Sequence, residues 1–240
     1  MMDTIRIEKG STRMVAHRGV SGLEKENTMA AFVAAGNRSY WGVETDVHRT
    51  SDGKMVVIHD GDTKRVAGVE LSVEGSDFDT LRGVTLLDRE NRPGRADLRI
   101  PTLKEYIQVC KQYGKFCVPE LKTHFSAEDI AQIVSEFREE DYLDHAVFIS
   151  FCTQNLIYLR ELCPEQPVQQ LASKIDDKLL ALLQEHSFDL DIDFRAMTED
   201  WMRRLHACGI RVNCWTVDDP AVAAQLVSWG VDDLTTNILE

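Results

Sequence analysis

One pattern narrows the choice of fold more than any other: a short apolar run, then an amphipathic stretch, repeated along the chain. The runs are RMVAH, GVETDV, MVVIH, KFCVPELK, AVFISF, PVQQLA, FDLDID, RVNCWTV and VDDLTT. Between them lie stretches that read as helices: TMAAFVAAGNR, TLKEYIQVCKQYG, SAEDIAQIVSEFREE, TQNLIYLRELC, DDKLLALLQEHS, TEDWMRRLHACG and DPAVAAQLVSWG. Asn27 or Thr28 caps the first, Pro101 precedes the second, and Ser126 with Asp129 makes a capping box for the third. Strands alternating with helices require a parallel sheet. About eight such units in 240 residues predict an α/β fold, a closed (β/α)8 TIM barrel forming one domain over 1–240. An open doubly wound sheet usually begins with a glycine-rich phosphate turn, and the chain has none. Residues 61–100 are polar, charged and rich in turn residues, and read as a small insertion forming part of a binding rim at one barrel mouth.

The net charge of -13 argues against nucleic acid as a partner and offers no general attraction to anionic lipid. An anionic substrate would therefore need local cations to hold it. No apolar run approaches the roughly 20 residues of a membrane span, and the opening stretch lacks the apolar core of a signal peptide. The expectation is a cytoplasmic protein with no stable membrane association. The cysteines (Cys110, Cys117, Cys152, Cys163, Cys208 and Cys214) form no CxxC pair, and are read as small buried hydrophobes.

Alternate residues of a strand share a face. In VETDV, Val43, Thr45 and Val47 face the surrounding helices, while Glu44 and Asp46 point into the barrel. The same parity in KFCVPELK groups Glu120 with Lys122. Three carboxylates from two strands suit a hard divalent cation, which takes oxygen ligands; the competing reading is a buried ion-pair network with Arg18 and Lys122. His17 and His59 close apolar runs and are candidate proton carriers near neutral pH. Arg18 and Lys122 could clamp a phosphate oxygen or simply neutralise the acids. Trp215 either offers a flat wall to a substrate or packs in the core. His124, a weaker candidate, follows Lys122 beyond the third strand and could reach the site. His48 shares the parity of Asp46 but falls where the strand should have ended, and is assigned to a loop or rim.

The segments AHRGVSGLEKENTMAAF, ETDVHRTSDGKMVVIHD, PELK and NCWTVDD together resemble the glycerophosphodiester phosphodiesterase family, with IPTLKEYI and GVDDLTTN fitting the same order. The resemblance implies a (β/α)8 barrel with an insertion after the second barrel strand, so that MVVIHD extends the second strand region. It implies hydrolysis of a small-molecule glycerophosphodiester to glycerol 3-phosphate and an alcohol, with one divalent cation, Mg2+ or Ca2+. His17 and His59 become the acid-base pair, Arg18 and Lys122 the phosphate contacts, and Glu44, Asp46 and Glu120 the metal ligands. Trp215 becomes the glycerol-side wall. Which histidine is acid, and whether water or the substrate's own hydroxyl attacks, stay open. The related readings are a barrel phosphodiesterase for lysophospholipids or phosphoinositides, and a non-catalytic barrel that binds phosphorylated ligands.

Three departures from the family pattern matter. Lys25 stands where proline is usual, which frees the loop before the first helix. Pro119 inside a strand removes a ladder donor and predicts a bulge that could re-aim Glu120. Asn237 replaces the usual aspartate after the last strand, removing one carboxylate.

Overall fold

The computed structural model describes residues 3–240. Eight parallel strands close a barrel: β1 (Arg13–Ala16), β2 (Gly42–Arg49), β4 (Phe116–Leu121), β5 (Phe148–Ser150), β6 (Val168–Ala172), β7 (Asp189–Asp193), β8 (Val212–Trp215) and β9 (Asp233–Thr236). The ring closes where β1 pairs with both β9 and β2. The remaining strand, β3 (Met55–Val57), runs antiparallel to the end of β2, with Val47 opposite Val57 and Arg49 opposite Met55. MVVIH therefore extends the second strand region, as the family pattern implies.

Each connecting segment between barrel strands carries a helix, and the strongest helix starts carry the cap signals seen in the sequence. Thr28, not Asn27, caps α1 (Met29–Gly36) by accepting from the Ala31 amide. Full capping boxes start α4 (Leu103–Tyr113), through Thr102 and Glu105, and α5 (Ala127–Glu139), through Ser126 and Asp129. Between strands and helices lies the main apolar layer, in which Phe32 packs edge-on against Tyr106 and Phe137 against Phe148. Val43 and Val47 belong to this layer, as strand parity requires.

The barrel interior is different. Its apolar content is a small cluster of Val15, Val118, Ile149 and Leu171, capped by Trp41 below and Trp215 above. Beneath it Arg13 stacks on Trp41 and forks onto Asp233, so charge on the floor is paired. Cys110, Cys117 and Cys214 are buried, but Cys152 and Cys163 are partly exposed and Cys208 is exposed, against the expectation that all pack as hydrophobes. Cys208 follows the last turn of its helix, where an amphipathic pattern does not fix burial.

The insertion leaves the barrel after Val57 and returns beside it, where the Val57 amide donates to the Pro101 carbonyl. It contains two short helices, α2 (Lys64–Ala67) and α3 (Phe78–Gly83). Val66, Val73, Leu81, Leu86 and Leu98 close over Val56, Ile58 and Ile100 as a satellite core. Its polar composition hides that core, because the apolar residues are spread thinly, one or two at a time, through the segment. The expected bulge at Pro119 is absent. Glu44–Val118, Thr45–Pro119 and Asp46–Glu120 are successive partners on one side, and Cys117–Ala146 and Glu120–Ile149 keep one offset on the other. The missing amide costs one donor without shifting the register.

Immediately after β1 the chain turns sharply, with Arg18 at φ 54° and Gly19 at φ 76°. A Cβ on Gly19 would lie 2.6 Å from the Ala31 Cβ and 2.7 Å from its carbonyl carbon. Gly19→Ala is therefore expected to destabilise the protein by ~2 kcal/mol or more, read as a lower urea midpoint at unchanged slope.

Candidate active site

The turn after β1 and the C-terminal ends of β2, β4 and β8 meet at one mouth of the barrel. That is where a (β/α)8 fold places chemistry. A cavity of about 150 Å3 there is lined by His17, Arg18, Glu44, His59, Glu120 and Lys122, with Trp215 on a further wall. Asp46 lies just behind this surface, 1% exposed. Seven of the eight sequence-derived candidates thus line one cavity, and the eighth supports it. His124 is exposed and not part of it. His48 is a correction: it sits within β2, 4% exposed, with its Nε2 3.2 Å from the His59 carbonyl oxygen. The antiparallel β3 lengthens β2 past the point where the sequence suggested it stopped, so His48 becomes a buried support for the segment bearing His59.

Glu44, Asp46 and Glu120 each offer an oxygen, all within 4.8 Å of one another. Among the described residues no other group of three such side chains comes together in this way. Two cations face them. Lys122 Nζ lies 2.9 Å from Glu120 and 3.3 Å from Asp46, while Arg18 Nε lies 3.3 Å from Asp46. Burial and the neighbouring Asp46 charge push the Glu44 carboxyl well above the usual carboxylate range, and push Glu120 up to about 7. Burial also raises Asp46, but Arg18 and Lys122 outweigh it and hold this carboxyl below its usual range. Asp46 Oδ1 is buried without a hydrogen bond, although Lys122 is near. An all-oxygen donor set, short of positive charge and with a free carboxylate oxygen, fits a hard divalent cation.

Both histidines are held through Nδ1. His17 Nδ1 lies 2.7 Å from Asn237 Oδ1, while Asn237 Nδ2 donates to Asp218. That second bond fixes the amide orientation, so His17 Nδ1–H donates and Nε2 carries the lone pair. The family's usual carboxylate is thus replaced by an amide, with the Asp218 carboxylate one step behind. Burial, then the Arg18 charge, lowers the His17 pKa to about 4. His59 Nδ1 lies 2.6 Å from Asp60.

Arg65, from α2 of the insertion, joins the two sides. Its Nε donates to Asp60 at 2.6 Å, and its two terminal nitrogens donate to Glu26 at 2.7 and 2.8 Å. Glu26 in turn accepts from Arg18 at 2.9 Å. Burial raises the pKa values of Glu26 and Asp60 less than these bonds lower them, so both carboxyls sit at about 2. Asn27, at φ 54°, donates to Asp46 at 2.7 Å and accepts from Thr45 at 2.8 Å. Lys25, in the position that proline usually takes, is 6% exposed, and its carbonyl accepts from the Thr28 hydroxyl that caps α1. The loop is thus tied by side-chain bonds in place of a fixed ring.

Residues 17–240 match the model of the glycerophosphoryl diester phosphodiesterase family. The chain belongs to that family. Glycerophosphodiester phosphodiesterases of Bacillus altitudinis and Caldanaerobacter subterraneus are each 27% identical, and each alignment covers 94% of both chains. A phosphodiesterase of Oleispira antarctica, solved in complex with the product sn-glycerol-3-phosphate, superposes with a TM-score of 0.86 at 27% identity, over 94% of this chain and 92% of that one.

Sequence reasoning gave no role to four residues of the site. Asp60 bonds to its chain neighbour His59 and to Arg65 five residues on, while Arg65 also reaches Glu26 across the fold, a contact that no spacing signals. Asp191 and Phe151 also line the cavity. Asp191 was within reach of the parity argument applied to Glu44, since FDLDID places its acids on one face.

Proposed function

We propose that this protein hydrolyses glycerophosphodiesters to glycerol 3-phosphate and an alcohol, with one divalent cation, Mg2+ or Ca2+, held by Glu44, Asp46 and Glu120. The observation that carries the reading is the convergence of three buried carboxylates with two histidines and two cations at one cavity. A phosphodiester resists attack because its own negative charge repels nucleophiles. A divalent cation held by these carboxylates would supply positive charge against the phosphate oxygens as the transition state becomes more negative. Arg18 and Lys122 add to that charge from the protein side, and Glu26 holds Arg18 in place. His17 and His59 exchange protons with the nucleophile and the departing alkoxide. Trp215 bounds the glycerol half of the substrate. The Oleispira antarctica complex supports glycerol 3-phosphate as the product.

The test is release of glycerol 3-phosphate from glycerophosphoethanolamine. The expected result is turnover that disappears in EDTA and returns with Mg2+ or Ca2+. Turnover that survives complete chelation would remove the cation from the reading, and release of no glycerol 3-phosphate would remove the substrate.

A further inference from the structure

The cavity has two chemically different halves. One carries the carboxylates, histidines and cations. The other is built from Ile149, Phe151, Leu171 and Trp215. Into this apolar half projects Asp191, from the middle of β7, beside Leu171 on one strand and Asn213 on the other. It is 1% exposed, and its Oδ1 is buried with no hydrogen-bond partner. Asn213, on the neighbouring strand, donates to Thr235 at 2.8 Å, and its approach to the Asp191 carboxyl, which pulls that group's pKa down, still leaves Oδ1 without a hydrogen bond. Trp215 Nε1, on the same wall, is likewise buried without a partner. A buried polar atom left unbonded costs stability, so such atoms in a cavity mark where a ligand's polar groups belong.

We propose that Asp191, with Trp215 Nε1 as companion donor, binds the hydroxyls of the glycerol half and selects hydroxyl-bearing diesters over those whose matching carbons carry only hydrogen. This rests on the function proposed above and names the residue that would set its substrate class. The two cavities support the direction of binding. His17 and Arg18 line both the interior cavity of about 150 Å3 and an outer groove of about 630 Å3 that includes Ser21, Glu26 and Asp218. A phosphate held at Arg18 therefore sits between a small interior space and a wide open one. The constant glycerol half fits the first, and the variable alcohol fits the second. Burial, with the Glu120 and Asp233 charges, pushes the Asp191 carboxyl well above the usual range. The Asp191 carboxyl accepts from one hydroxyl and the Trp215 Nε1–H donates to another, so the pair complements a diol.

A site built to bond a hydroxyl rejects the analogue lacking it far more strongly than a plain apolar pocket can. The experiment compares kcat/KM for glycerophosphoethanolamine and for the same diester with propyl in place of glycerol. The wild-type protein is expected to prefer the glycerol diester by ~100-fold or more. D191L should collapse most of that ratio, whereas D191N, which keeps a donor and an acceptor, should hold it within about tenfold. Damage to the fold lowers both substrates together and leaves the ratio alone. Should D191L not fold, D191A serves as the apolar variant. A ratio unchanged in the apolar variant would overturn the role of Asp191 and leave the proposed function standing. A wild-type protein that releases no glycerol 3-phosphate would overturn both.

Discussion

Glu44→Gln is expected to reduce kcat/KM by more than ~10³-fold while leaving the metal-free protein as stable as the parent, to within about 1 kcal/mol. The two effects separate because Glu44 contributes to the site and to the fold in opposite ways. In the fold, its carboxyl is 3% exposed beside Asp46, and burial first, then that pairing of like charges, favours the protonated, neutral form. Glutamine has the shape and neutrality of that form, and can still accept from the Arg18 amide, which Glu44 Oε2 does at 2.7 Å. At a cation site the exchange is severe, since an anionic ligand becomes a neutral one. Urea unfolding in EDTA should therefore give similar curves for parent and variant. Adding Mg2+ or Ca2+ should then stabilise the parent, by about 2.7 kcal/mol at a hundred times the dissociation constant. The variant should gain much less at the same concentration. A variant that loses activity and metal-free stability together would mean that Glu44 serves a structural ion-pair network, the competing reading of this cluster.

How far the site could be read from the sequence depended on whether a residue's position follows from its own strand. Glu44, Asp46 and Glu120 lie on strands whose faces alternate strictly, Lys122 directly follows β4, and parity alone placed them together. The same rule reached the barrel, because eight strand-helix units leave few ways to bury a parallel sheet. It failed at His48 because β2 is lengthened by β3, a pairing that no residue of β2 announces. Pro119 misled for a related reason: a missing donor is visible in the sequence, but β2 and β5 hold the register on both sides. Arg65 lies beyond local reasoning altogether, since its contact with Glu26 joins the insertion to the loop before α1 across the substrate mouth. Only the folded satellite core of the insertion brings the two together.

His17→Ala and His59→Ala are each expected to lower kcat by about 10² to 10⁴-fold, with much smaller effects on KM. The rings line the same cavity, but their supports differ: an amide stands behind His17 and a carboxylate, itself tied to Arg65, behind His59. Neither ring is a large part of the apolar layer, so thermal melting should change little. Their roles can be separated by the leaving group. A natural glycerophosphodiester expels an alkoxide, which needs a proton as it departs, whereas p-nitrophenolate leaves without one. Replacing the histidine that protonates the leaving group should therefore cost little with a p-nitrophenyl glycerophosphodiester and the full factor with glycerophosphoethanolamine. Replacing the histidine that activates the nucleophile should cost nearly the same with both. The double variant should be little worse than the poorer single one, because residues that move one proton in and one out act as a unit. If both single variants respond alike to the change of leaving group, the division of labour between the two rings is wrong. If both keep parental activity, proton transfer is done by groups other than these two histidines.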